Sequence, residues 1–184
     1  MTALREAAVR IGDWAGHDTR FTRFRGDGWQ IYLEKPELTL RAMLMLVALL
    51  GARQTGLQTR ISMAIEQYDH LGSTGLSGAS GKAFILSGSG LDGMASSQTM
   101  TYLGATGERT LWRRAVLTLA HHSARRWSRE QAEAMVAALA PAPPTQDQIA
   151  KDIKITRQAV QSRLRSAGLV VLAPALAAFE ASMS

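Results

Sequence analysis

The sequence contains no cysteine. That excludes disulfides and thiolate metal sites, and it fits a cytosolic protein. It also lacks any run of about 20 uncharged apolar residues, so a membrane span is not expected. The nearest candidate, Leu38 to Leu50, is shorter and contains Arg41. No secretory signal precedes the first helix-like segment, which Arg5, Glu6 and Arg10 interrupt early. A phosphate-binding loop is missing as well. Gly81-Lys82 would need Gly at position 76 and Ser or Thr at 83, where Leu76 and Ala83 stand. Acidic residues thin out toward the C-terminus: residues 1–107 hold ten Lys or Arg against nine Asp or Glu, and residues 108–184 hold eleven against six. Most of the net charge of +6 therefore sits in the second part. A basic segment beside a neutral one suggests a partner with phosphates, although a solvated basic face has the same balance.

What is present is a hydrophobic content of 46%, enough to bury a core. Ala3 to Trp14 reads as a helix, with Leu4, Ala7, Ala8 and Ile11 on one face and Gly16 as its end. Arg20 to Phe24 and Trp29 to Leu33 flank Gly26-Asp27-Gly28, a hairpin signal. Pro36 and Glu37 open a helix to about Leu50, apolar on most sides, with Gly51 as its stop. Thr59 to Gln67 alternates as a half-buried strand, with Ile61, Met63 and Ile65 inward and Arg60, Ser62 and Glu66 outward. Leu71 to Gly93, rich in Gly and Ser, reads as a loop and a short helix; Thr99 to Leu103 reads as a further strand. This order suits an α+β layer with helices on one sheet face.

From Glu108 the chain reads as all-helical. Leu111 to Trp127 forms one long helix, on which core or interdomain packing is expected for Trp112 and Trp127. His121 and His122 are adjacent, about 100° apart on a helix, so they cannot share a metal. They are expected at the surface or on phosphates. Arg113, Arg114, Arg125, Arg126 and Arg129 either contact phosphates or face solvent. Ser128 caps the next helix, with Gln131 completing a capping box, and Pro141-Ala142-Pro143-Pro144 ends it.

Residues 145–168 carry the pattern of a helix-turn-helix. Thr145 and Gln148 form a second capping-box signature ahead of a short helix from Gln148 to Ile153. Lys154-Ile155 makes the turn, Thr156 caps a second helix, and Gly168 ends it. Two helices crossing over a short turn need apolar residues where they touch and a small residue where they cross. Ile149, Ile153, Ile155, Val160 and Leu164 supply the first, and Ala150 the second. Lys154 occupies the turn position usually filled by Gly, where a left-handed backbone costs a side chain about 1 kcal/mol. Thr156, Arg157, Gln158, Gln161, Ser162 and Arg165 then point outward. Those side chains suit base edges and phosphates of double-stranded DNA: Arg for guanine, Gln for adenine, Ser and Thr for either. An ordinary helical hairpin with a polar face would share the periodicity. Beyond it, Leu169 to Leu172 is apolar and Pro174 opens a closing helix from Ala175 to Met183, packed under the module or serving as a dimer contact. A helix-turn-helix usually reads a two-fold site as a dimer, so a homodimer is an expected partner, but no clear seam shows in the sequence.

The run Phe24-Arg25-Gly26-Asp27-Gly28-Trp29, the helix from Pro36, Arg60-Ile61-Ser62-Met63-Ala64-Ile65, and Gly81-Lys82-Ala83-Phe84 ending in Leu91-Asp92 together resemble the SatD family. That family joins such a domain to a C-terminal helix-turn-helix. More remotely, the order is similar to the palm domain of class III nucleotidyl cyclases, whose Gly-Asp hairpin presents one of two metal-binding aspartates. The resemblance implies an α+β fold: an N-terminally truncated palm or ferredoxin-like sheet with helices on one face, followed by an all-helical helix-turn-helix module. The parts are a palm-like domain over residues 1–107 lacking its first strand, a connecting helix over 108–127, and the DNA-binding module over 128–184. It also implies Asp27 as a metal ligand for Mg²⁺ and a nucleotide as ligand. The strand that bears the first aspartate of the palm has no counterpart ahead of Met1-Thr2-Ala3-Leu4, and the two-metal mechanism needs more than one carboxylate. The expectation is therefore a DNA-binding transcriptional regulator with no cofactor, whose front domain serves dimerisation or ligand sensing. The alternative is a metal-dependent nucleotide cyclase or related nucleotidyl transferase.

Overall fold

A computed structural model describes residues 2–24, 26–54, 56, 59–104 and 107–183. The fold is α+β. Helix α1 (Thr2–Ala15) leads into a hairpin of two short strands, β1 (Thr22–Arg23) and β2 (Trp29–Gln30). A 3-10 turn at Pro36–Leu38 starts α2 (Thr39–Ala52). Then come β3 (Ile61–Ile65), α3 (Lys82–Asp92) and β4 (Met100–Gly104). Five helices follow: α4 (Glu108–Ala124), α5 (Arg129–Ala138), α6 (Gln146–Asp152), α7 (Arg157–Ser166) and α8 (Leu169–Ala181).

Helix α2 organises the interior because its sequence leaves it no polar side to expose. Leu40, Met43, Leu44, Met45 and Leu49 are all buried, and α1, α4, α5 and α8 pack around it. One hydrophobic core runs from Leu4 on α1 to Phe179 on α8. Gly51, expected to stop α2, lies inside it, and the helix continues to Ala52. A Cβ at Gly51 would come within 3.2 Å of the Ala132 Cβ. Its role is to let α5 approach closely, not to end the helix.

The front half forms two separate two-stranded ladders among the described residues, where one palm-like sheet was expected. β1 and β2 pair antiparallel over only two residues each. β3 and β4 pair parallel, Ile61 opposite Met100 through Ile65 opposite Gly104, with α3 as the crossover. Ile61, Met100 and Tyr102 bury into the core, with Met63 and Ile65 packed against it. α3 covers the second face, and there Ser62 departs from its outward assignment. A Cβ at Gly90 of α3 would meet the Ser62 Oγ at 2.5 Å and Leu103 at 2.9 Å. Period-two alternation cannot tell a solvated face from one covered by a helix whose glycine permits contact.

Gly81 at the start of α3 has φ 118°, and a Cβ there would fall 2.5 to 2.6 Å from the backbone of Tyr68 and Asp69. The Gly81-Lys82 pair is thus a close backbone approach, and Lys82 is spent on Glu66 at 3.0 Å. Helix α8 begins at Leu169, so Pro174 lies inside it and does not open it. Proline there removes one helical bond, to the carbonyl of Val170; both residues are exposed, so water can serve that carbonyl.

Candidate nucleic-acid interface

α6, the turn and α7 form the two-helix unit that residues 145–168 announce. Thr145 Oγ1 accepts from the Gln148 amide at 3.2 Å, and Thr156 Oγ1 accepts from the Ala159 amide at 3.2 Å. Each cap satisfies one of the four amides that a helix start leaves unpaired. The Gln148 side chain donates to Asp152 at 3.1 Å, so of the two capping boxes the reciprocal bond is made at Ser128–Gln131. α6 begins at Gln146, two residues ahead of the expected Gln148.

The turn closes as its spacing requires. The Ile155 amide donates to the Ala150 carbonyl at 3.0 Å, and Ala150, Ile149, Val160 and Leu164 are buried. Lys154 adopts φ 56°, the left-handed conformation that its place in the turn demands. Ile153 and Ile155 are partly buried against the core.

Packing of one side of α7 leaves the other to solvent. Thr156, Arg157, Gln158, Gln161, Ser162 and Arg165 are all exposed, as is Lys154. The helix carries no acidic residue. Arg157 lies 3.8 Å from Asp147, both 65% exposed. A pair so wet and so long is worth little, and a phosphate can displace it.

Two supports of α7 are not visible in the spacing of residues 145–168. Arg163 Nη1 donates to Glu133 on α5 at 2.9 Å, which sets Arg163 apart from the outward arginines. Trp127 Nε1 donates to the Ala167 carbonyl at 2.8 Å, holding the C-terminal end of α7 against the α4–α5 corner. The isolated Trp in Arg-Arg-Trp-Ser was the only signal, and its partner lies 40 residues on.

His121 corrects the surface assignment: it is buried, while its neighbour His122 is exposed. Burial first, then the charge of Arg125 and the proximity of His122, push its pKa down to about 4. It borders a cavity of about 300 Å³ together with Gln54, Thr59, Thr99, Arg125 and Trp127. Of the arginines left undecided, Arg113 reaches the Ser182 carbonyl at 2.8 Å and Arg125 reaches Thr99 Oγ1 at 2.8 Å. Arg114, Arg126 and Arg129 are exposed.

Asp27 sits exposed in the β1–β2 turn. Among the described residues no group of three His, Asp or Glu side chains could hold a metal ion. The residues present do not fit the Mg²⁺ site that the cyclase resemblance implies. Among the described residues, no single helix is long and apolar enough to cross a membrane; α7 and α8 together reach that length and composition but are bent by 66°. Comparison with known proteins finds no matching family model, no matching curated protein and no matching solved structure.

Proposed function

We propose that this chain is a DNA-binding regulator that acts in the cytoplasm and reads duplex DNA through α7. The observation that carries the reading is the outward face of α7. It presents Arg157, Gln158, Gln161, Ser162 and Arg165, with no acidic residue, on a helix clamped from behind by Val160, Leu164 and Arg163. Such a face offers bidentate donors for base edges and cations for phosphates, held on a rigid support. Lys154 in the turn and the N-terminal amides of α7 add phosphate contacts beside it. The likeness of the front half to the SatD family points the same way, since that family carries a helix-turn-helix behind a comparable domain. In this reading the front domain senses a ligand or holds the module in place. The cyclase alternative has only Asp27 to rest on.

The test is fluorescence anisotropy of the full chain on random-sequence duplex at low salt. Binding is expected, falling steeply as salt rises because each neutralised phosphate releases counterions. Arg157→Ala with Arg165→Ala should weaken it by about 10- to 100-fold. Absence of binding at low salt, or binding indifferent to the double substitution, would overturn the reading.

A further inference from the structure

Helix α2 is buried over most of its surface, but one apolar strip of it is left half-covered. Val47, Leu50 and Gly51 share one side of the helix, three and four residues apart, and are only half-buried. All three border the cavity of about 300 Å³. The α4–α5 corner supplies another wall through His121, Ala124, Trp127 and Ala132. Thr59, Ile61 and Thr99 close it at the start of the β3–β4 ladder, and the exposed Gln54 and Arg125 mark its mouth. The volume is at the small end of the range for ligand pockets.

The polar groups of this cavity are few and only partly used. His121 is 5% exposed, and its ring makes no hydrogen bond among the described residues. A buried polar ring normally has a partner, and what His121 borders here is the cavity. Its low pKa leaves the ring uncharged at neutral pH. Arg125 spends Nη1 on Thr99 Oγ1, and its Nε and Nη2 make no hydrogen bond among the described residues. No Asp or Glu stands among the described residues of the lining, and Arg125 is its one cation.

One guanidinium beside a neutral imidazole, with no carboxylate near them, suits a single negative charge. It does not suit a cation, nor the several charges of a nucleoside triphosphate. Val47, Leu50, Ile61 and the Trp127 ring suit an apolar or aromatic body behind that charge. We infer that this cavity binds a small monocarboxylate with an aromatic or apolar body, held by Arg125 and His121, and that α7 responds to its occupancy through Trp127. The Trp127 ring borders the cavity, while its Nε1 donates to the Ala167 carbonyl at the end of α7. A ligand against the ring therefore bears on the bond that holds α7 in place, and the coupling is reciprocal. The sensing role proposed for the front part is located here. The effect on DNA rests on the DNA-binding reading; the site does not.

The test is a titration of the ¹⁵N-labelled full chain with benzoate, phenylacetate and cinnamate, each to about 10 mM. The Trp127 indole resonance, assigned by its loss in Trp127→Phe, should shift and saturate. Benzamide, which lacks the charge, and acetate, which lacks the ring, should bind at least about 10-fold more weakly. Arg125→Gln changes an exposed residue and should keep the helical circular dichroism. It should weaken benzoate binding by about 10- to 100-fold and erase the preference over benzamide, which a merely structural role would not do. His121→Leu should weaken benzoate and benzamide alike. Duplex affinity should change by at least about 3-fold with benzoate bound. No saturable shift at Trp127 with any of the three acids, an equal response to benzamide, a stronger one to ATP, or benzoate binding undiminished in Arg125→Gln would overturn the site. Duplex affinity untouched by bound benzoate would overturn the coupling. A chain that binds benzoate and no DNA would sink the DNA reading alone, and one that binds DNA and no carboxylate would sink the site alone.

Discussion

Lys154 holds φ 56° at a place where glycine would be at ease. Lys154→Gly should stabilise the fold by about 0.5 to 1 kcal/mol in chemical denaturation. It should also flatten the salt dependence of DNA binding by about one released ion, because an exposed ammonium leaves the turn. His121 makes a different prediction. Its pKa is about 4 in the fold against about 6.5 in an unfolded chain. As pH falls below about 6.5 the unfolded state takes the proton first, so stability declines down to about pH 4 and is independent of this group above neutrality. The loss should reach about 3 kcal/mol, measured as the urea midpoint against pH. His121→Leu should remove that slope. A slope unchanged in the variant would assign it to other groups. Which of two adjacent histidines is buried was not legible, because it depends on the phase of α4 against the sheet.

The helices of the candidate interface are set by short local signals. The Ser128 side chain accepts from the Gln131 amide, and the Ser128 amide donates to Gln131 Oε1 at 2.8 Å. Ser128→Ala should cost about 1 kcal/mol, seen as a lower thermal midpoint. DNA affinity at low temperature should change little, since α5 supports α7 from behind. The Thr145 and Thr156 caps were equally legible, because a cap acts over three residues. The bond from Arg163 to Glu133 was not: helical phase keeps Arg163 out of the outward set that holds Arg165, but its partner lies 30 residues away. Pro174 misled for a related reason. Proline usually opens or ends helices, but α8 starts at Leu169 because left-handed Gly168 (φ 81°) turns the chain there.

The front α+β part and the α6–α7 unit share one core, so the outward face of α7 and its scaffold are mechanically joined. Arg41 is the clearest tie. From α2 it reaches Glu180 on α8 and donates to the carbonyls of Leu139 and Ala140 beyond α5. Its side chain is only 11% exposed. Arg41→Ala should cost about 3 kcal/mol, because it strands Glu180 and two carbonyls. Urea titration should show one lower transition, with near- and far-ultraviolet signals still coincident. Two separated transitions would show that the parts unfold independently.

Periodicity and caps in the sequence determined the order of elements, the two-helix unit at residues 145–168, the left-handed lysine in its turn and the outward set on α7. All of these follow from contacts a few residues apart. The tertiary structure decided the rest. It covered Ser62 with α3, turned His121 inward, used Gly51 for close packing, and laid α8 along α4 with its apolar outer face uncovered. Each depends on which elements pack together, and a pattern of apolar and polar residues shows that a face is covered without showing what covers it.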